Sequence, residues 1–398
     1  MLRPGTFALT ALLGLLSGLG PFSVDMYLAS MPDIGRLLDA SPSDVQLTLS
    51  SYLIGFAVGQ IFYGPVSDRY GRKPVLIAAL VLFCLASAAC AAAPNIAVLI
   101  AARSAQALGG AGAIVLARAV VRDLYSGARA GRELSLMGAV MGLAPIVAPV
   151  IGGTLQIMLG WRANFIFLVV FGLASLACVW LLLPETLRRR DGEPISVATV
   201  LRTYGGLLGH RSYVAHLAIV TATYSGLFAW IAGATFVLQD IYGLTAFEFG
   251  VAFAVASAGY LVGTAMAARL VVRLGLDRTI GLGALALAAG GLAMVAGIAL
   301  GLDWRAALIA PMALYLAGLG LVTPQAMAGA LTPFPERAGA ASSLIGFIQQ
   351  SAGALAAAAV GYTLGATAWP LVIALAATGV MALTLWAMTR QVRTRTFA

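Results

Sequence analysis

Twelve apolar runs leave this chain of 398 residues few folds other than a bundle of membrane-crossing helices. A spanning helix needs about 20 mostly apolar residues. The runs cover roughly 6–31, 45–63, 75–93, 96–117, 134–156, 163–183, 213–237, 249–270, 279–300, 306–327, 340–362 and 369–389. Hydrophobic residues make up 61% of the chain and charged residues only 10%, so it cannot solvate its own surface in water. Within hydrocarbon every backbone amide and carbonyl needs an internal partner, which helices supply. The fold class expected is an all-α polytopic membrane protein with twelve transmembrane helices. The first run is too long for a signal peptide, lacks a clear small-residue cleavage site, and precedes eleven more spans.

An even number of spans puts both termini on one side. With the termini in the cytoplasm, 20 of the 24 basic residues fall inside and three outside (Arg36, Arg162, Arg305), while Arg103 lies within a span. A bias that large sets the orientation. The net charge of +9 is dispersed over short loops, which argues against nucleic acid as a partner. Cys84, Cys90 and Cys178 all fall inside apolar runs. There they act as small hydrophobes, and neither a disulfide nor a metal site is expected.

The longest polar break, Pro184 to His210, follows span six and halves the chain. The expected domains are an N-terminal six-helix bundle (1–184), a cytoplasmic linker (185–212) with an amphipathic stretch from Ile195 to Leu208, and a C-terminal six-helix bundle (213–398). An internal repeat supports the division. Gly55 and Gly59 recur as Gly259 and Gly263; at the same offset of 204, Arg69 aligns with Arg273 and Gly71 with Gly275. Asp68 aligns with Val272, so the second copy lacks that carboxylate.

Between spans two and three runs Gly64-Pro65-Val66-Ser67-Asp68-Arg69-Tyr70-Gly71-Arg72-Lys73-Pro74. The reading is a loop of about ten residues, short enough to make its flanking helices antiparallel neighbours. Its charges form a candidate cytoplasmic gate: Gly64, Asp68, Arg69, Gly71, Arg72 and Lys73, joined by Asp123 just past span four. Charge-assisted bonds among them would hold the cytoplasmic side closed and break when the halves rock.

Asp25 is the main candidate for chemistry. It lies inside span one, where a charged side chain costs about 2.5–3.5 kcal/mol on insertion scales and marks a proton or substrate pathway. Arg103 in span four is its expected partner. At 1.5 Å per residue, Arg103 sits about 12 Å below the outer end of its span and Asp25 about 5–9 Å below the end of its own. Span five carries Gly142, Pro145, Pro149 and Gly153. Two prolines remove two helix hydrogen bonds, giving a bent, close-packed helix suited to sealing one side of a cavity. Candidate substrate-cavity residues are Tyr27 and Gln106 in the first half, and Tyr224, Trp230, Phe236, Tyr260, Tyr315, Gln349 and Gln350 in the second.

Other chemistries lack their residues. There is no P-loop, so the chain has no ATP engine of its own. The two histidines, His210 and His216, form no metal-ligand pattern. No nucleophile–base constellation is evident, so an enzyme is not expected, nor is any cofactor.

The loop pattern G-x-x-x-D-R-x-G-R-[RK] resembles the signature of the major facilitator superfamily of transporters. Further stretches are similar to its bicyclomycin/chloramphenicol-resistance (Bcr/CflA) drug exporters: Asp25-Met26-Tyr27-Leu28, Gly59-Gln60, Ala117-Arg118-Ala119-Val120-Val121-Arg122-Asp123, Gly142-Leu143-Ala144-Pro145-Ile146-Val147-Ala148-Pro149, Gly160-Trp161-Arg162 and Leu183-Pro184-Glu185-Thr186. The resemblance is dense in the N-terminal half and scattered in the C-terminal half. It implies a major facilitator fold of two six-helix halves around a central cavity, and a drug:proton antiporter of the bacterial inner membrane. It implies that Asp25 and Arg103 couple protons, and that Pro145 and Pro149 belong to the antiporter motif of span five. Where some related exporters carry a second acid in span one, this chain has Ser17, so one proton per cycle is expected. The expected partners are a small-molecule substrate, protons and the lipid bilayer, with a monomer as the transporting form. A proton-coupled uptake symporter is the alternative on the same fold. A non-transporting sensor would need a soluble signalling domain, and a channel a continuous polar pore.

Overall fold

The computed structural model describes residues 6–125, 127–187, 197–302, 305–334 and 338–394. Residues 188–196 of the polar break, with Arg3, Arg337 and Arg395, lie outside the described residues. The helices are α1 (Phe7–Leu28), α2 (Met31–Leu37), α3 (Pro42–Tyr70), α4 (Arg72–Ala91), α5 (Ile96–Leu124), α6 (Gly127–Leu159), α7 (Arg162–Leu182), α8 (Val197–Leu208), α9 (Arg211–Phe236), α10 (Ala246–Leu274), α11 (Leu276–Ala299), α12 (Ala310–Leu331), α13 (Ala338–Thr363), α14 (Trp369–Met388) and α15 (Arg390–Thr394). Among the described residues, 12 helices are long and apolar enough to cross a membrane. The three others are short: α2 after span one, α8 before span seven and α15 after span twelve.

The chain divides into two compact units, Met1–Ile195 and Ser196–Ala398. Each repeats the other's packing. In the first, α3 and α4 pack on α5, α1 on α6, and α4 on α7. In the second, α10 and α11 pack on α12, α9 on α13, and α11 on α14. The repeat reaches the helix caps. The Ser41 hydroxyl accepts from the Asp44 amide in a capping box that starts α3, and Thr245 with Glu248 does the same for α10. Those pairs lie 204 residues apart, the offset of the glycine repeat. Each box satisfies two of the amides that a helix start leaves without partners.

The repeated glycines perform the same task in both units. A methyl group on Gly55 would lie 2.7 Å from the Ser104 carbonyl of α5, and one on Gly59 would lie 2.7 Å from the Ala111 methyl. One on Gly259 or Gly263 would lie 2.0 or 2.1 Å from the Ala313 or Ala317 carbonyl of α12. Small residues at these faces let backbones touch, which is what holds helices together where lipid removes the hydrophobic drive.

One sequence expectation needs correction. Gly64 to Pro74 is not a loop of about ten residues. Helix α3 runs on through Gly64, Asp68 and Arg69 to Tyr70, and α4 begins at Arg72. Gly71 alone breaks the path, with φ +106°, a backbone region that side chains with a Cβ rarely enter. The polar residues misled because they sit on helix ends that emerge from the apolar layer.

Gly263→Leu should disrupt the α10–α12 contact, by an overpacking penalty of about 1–3 kcal/mol or more. Thermal unfolding monitored by size-exclusion chromatography would read this as a lower midpoint and less monodisperse protein. Gly206→Ala in α8, where a methyl meets nothing within 4 Å, should leave the midpoint unchanged or slightly raised.

Candidate functional site

Asp25 lies four residues after Pro21 in α1 and is 4% exposed. Its carboxylate accepts no hydrogen bond and joins no ion pair among the described residues. Helix α6 closes over it. A methyl group on Gly152 would sit 2.0 Å from the carbonyl of Met26, the residue after Asp25. Gly142, Pro149 and Gly153 of α6 are buried and Pro145 is half-buried. The proline-bearing helix therefore packs backbone to backbone against the segment that carries the acid.

Arg103 is fully buried on α5. Its guanidinium carbon lies 4.3 Å from the centre of the Tyr52 ring, 4.5 Å from that of Tyr27 and 5.8 Å from that of Phe165. Nη1 donates to the Ser23 carbonyl at 2.9 Å and to Gln106 Oε1 at 2.6 Å, and Gln106 Nε2 donates to Ser87 Oγ at 2.8 Å. Nε and Nη2 have no hydrogen-bond partner among the described residues. The ion pair expected between Arg103 and Asp25 is therefore absent. Counting residues along two helices does not fix the direction of a side chain, and the guanidinium lies on Tyr27, Tyr52 and the α1 backbone two residues before the acid. Desolvated cation–π contacts are each worth up to about 2 kcal/mol and take the place of a counter-ion.

Tyr27 and Gln106, expected to line a substrate cavity, are fully buried around Arg103. Tyr27 also bonds Thr48 of α3. Of the second-half candidates, Trp230 is buried and stacks on Phe253 with ring centres 6.3 Å apart. Tyr315 is buried, with its hydroxyl 3.0 Å from that of Thr378. Gln349 is buried with its Nε2 unbonded, and Phe236 is buried too. Tyr224, Tyr260 and Gln350 are half-buried.

The charged cluster between α3 and α4 is built around Arg72. Its guanidinium binds Asp68 at 2.6 Å, Asp123 of α5 at 3.0 Å and the Ser67 hydroxyl at 2.5 Å. Residues after α7 complete it. Glu185 accepts from the amides of Arg72 at 3.0 Å and Lys73 at 3.2 Å, capping α4, and Thr186 Oγ1 donates to Asp123 at 3.0 Å. Lys73 Nζ donates to the Trp180 carbonyl at 2.8 Å. Gly71 is needed twice, since a methyl there would also lie 2.6 Å from Glu185 Oε2. Gly64 is half-buried within α3, while Arg69 is exposed over the Tyr70 ring and stays outside the cluster. Glu185 was legible only as part of Leu183-Pro184-Glu185-Thr186; nothing local marks it as the cap of a helix 112 residues earlier.

A buried polar network at the other end of the unit was also missed. Ser30 Oγ donates to Gln156 Oε1 at 2.5 Å, Asn164 Nδ2 donates to Ser30 Oγ at 2.8 Å, and Gln156 donates to Asp33. It ties the end of α1 and α2 to α6 and α7.

Glu185→Ala should leave the first amides of α4 without acceptors. Hydrogen exchange at Arg72 and Lys73 should quicken, and unfolding should come earlier by about 1–2 kcal/mol, the worth of a cap. Glu185→Gln, which keeps an acceptor, should fall between.

The profile of the Major Facilitator Superfamily matches residues 13–357. The chain is 34% identical to an uncharacterised MFS-type transporter, YdgK, of Bacillus subtilis strain 168, over 89% of this chain and 88% of that protein. It is 30% identical to the bicyclomycin resistance protein homolog of Haemophilus influenzae, over 94% of each. It is also 30% identical to multidrug resistance protein D of Escherichia coli K12, over 88% of this chain and 87% of that one. Its fold matches that of the xylose transporter XylE of Escherichia coli with a TM-score of 0.75 at 16% identity, over 97% of both chains. This twelve-span membrane protein is therefore a member of the major facilitator superfamily, of the Bcr/CflA type.

Proposed function

We propose that this transporter is a proton-coupled antiporter that exports drugs or other small amphiphiles across the bacterial inner membrane by alternating access, as a monomer with both termini in the cytoplasm. The observation that carries the reading is Asp25: a carboxyl within a span, 4% exposed and without a hydrogen-bonding partner among the described residues. Leaving a charge there is costly, so the group must take up a proton or meet a cation delivered from outside. Neither a metal nor an organic cofactor enters the scheme.

In this scheme Asp25 takes a proton from the periplasmic side and gives it up towards the cytoplasm when an amphiphile binds. Arg103 is a positioning residue. Its bond to the Ser23 carbonyl fixes α1 just before the acid, and its two unbonded donors keep a fixed positive charge close to it. Helix α6, pressed on Met26 through Gly152, seals that region, and a bend at Pro145 and Pro149 lets it follow α1 as the state changes. The Arg72 cluster, the proposed cytoplasmic gate, joins the ends of α3, α4 and α5 to the segment after α7, and its charge-assisted bonds would break as the gate opens. Coupling requires the substrate to bind the protonated and deprotonated states with different affinity. The drug-resistance names of two relatives support export.

The test is substrate-induced proton release from purified protein in detergent, with wild type and Asp25→Asn, across antibiotics and amino acids. A compound that releases about one proton per wild-type molecule, and none from the variant, bears out the reading. Equal release from both moves the coupling group elsewhere. Co-uptake of protons with a metabolite into proteoliposomes would replace export with symport.

A further inference from the structure

The second unit carries a trough that the transport scheme does not use. Two open cavities of about 380 and 420 Å³ share Val214, Ala218 and Leu385 and so adjoin along α9. Its floor is the face of α9 marked by Ala215, Ala218, Ala222 and Ser225, small side chains at helical spacing that hollow the surface. Its walls are Ile348 and Ala352 of α13, and Met381 and Leu385 of α14. Val214 is 38% exposed and Met381 45%. Apolar side chains exposed along a spanning helix face hydrocarbon, so the trough opens to the bilayer.

From Arg211 to Ser225 the trough runs about 21 Å at 1.5 Å per residue, more than the roughly 15 Å of one leaflet's hydrocarbon. Its mouth is polar. Arg211 is exposed there, at the first residue of α9, and pairs with no carboxylate among the described residues. The partial positive charge of the helix start adds to it. Thr389 and Val392 form the opposite lip.

That lip is held by a buried charge. Arg393 is fully buried, donates to Asp277 Oδ1 through Nε at 2.9 Å, and donates to the Trp386 carbonyl at 2.8 Å and to Thr389 Oγ1. Trp386 Nε1 in turn donates to the Asp277 carbonyl at 3.0 Å. Burial lowers the Arg393 pKa and the Asp277 carboxylate works against that shift, so α15 is pinned against the start of α11. The mouth is thus a formed rim with an unpaired cation, continuous with an apolar groove of leaflet length.

The geometry points to a binding site for one phospholipid, with its anionic phosphodiester headgroup on Arg211 and its acyl chain along α9. Charge complementarity at the mouth and apolar continuity behind it select this occupant, because basic pockets between spanning helices take anionic headgroups. The site is independent of the proposed transport reaction and of its direction.

Native mass spectrometry of the full-length protein in mild detergent tests it, with phosphatidylglycerol added after delipidation. Wild type should retain one lipid, Arg211→Gln should bind it about fivefold more weakly, and Ala218→Phe should lose it by filling the trough. sn-Glycerol 3-phosphate and inorganic phosphate should not displace it. Arg211 is exposed, so its substitution leaves the fold intact, and thermal unfolding checks the Ala218 variant. Undiminished binding in Arg211→Gln overturns the proposal, as does displacement by inorganic phosphate or a wild type that retains no lipid.

Discussion

The structure rests on backbone-to-backbone contact between helices. In lipid no hydrophobic term draws one helix to another, so attraction must come from close packing and from the few polar groups that meet. The chain supplies both at matched places. Gly55 and Gly59 bring α3 onto α5, Gly259 and Gly263 bring α10 onto α12, and Gly152 brings α6 onto the α1 backbone at Met26. The last contact has the largest consequence, because it fixes the proline-bearing helix against the residue that follows Asp25.

The two units repeat their packing but invert their charge. In the first, Arg72 at the start of α4 is held by Asp68 and Asp123, and Glu185 after α7 caps the helix. In the second, the acid, Asp277, is at the start of α11, and the cation, Arg393, comes from after α14. Both arrangements tie the third helix of a unit to the segment after its sixth. The sign of each group differs between the units; the tie recurs. A glycine of positive φ precedes each site, Gly71 at +106° and Gly275 at +78°.

What the sequence made legible follows from what its signals measure. Apolar run length locates spans, and all twelve are long, apolar helices. Periodic small residues and polar caps locate repeats, which is why an offset of 204 residues also relates Ser41 to Thr245. Depth can be counted along a helix, but azimuth cannot. The Arg103 guanidinium reaches the Ser23 carbonyl, two residues before Asp25, yet lies over Tyr27 and Tyr52. The polar run from Gly64 to Pro74 read as a loop because charge density marks the membrane boundary and not the end of a helix. Glu185 and Arg393 act on partners more than 100 residues away, a pairing that no local pattern encodes.

The environment of Asp25 narrows the mechanisms open to this chain. Its polar neighbours are already engaged: Ser23 bonds the Leu19 carbonyl, Tyr27 bonds Thr48, Tyr52 bonds the Gly20 carbonyl, and Arg103 holds Ser23 and Gln106. Neutralising a new charge at Asp25 from within would have to turn the unbonded Nε or Nη2 of Arg103 towards it, giving up ring contacts with Tyr27 and Tyr52 worth up to about 2 kcal/mol each. Supplying a proton or a cationic group of a substrate breaks none. The proposed exchange of one for the other at Asp25 would then leave the surrounding network intact.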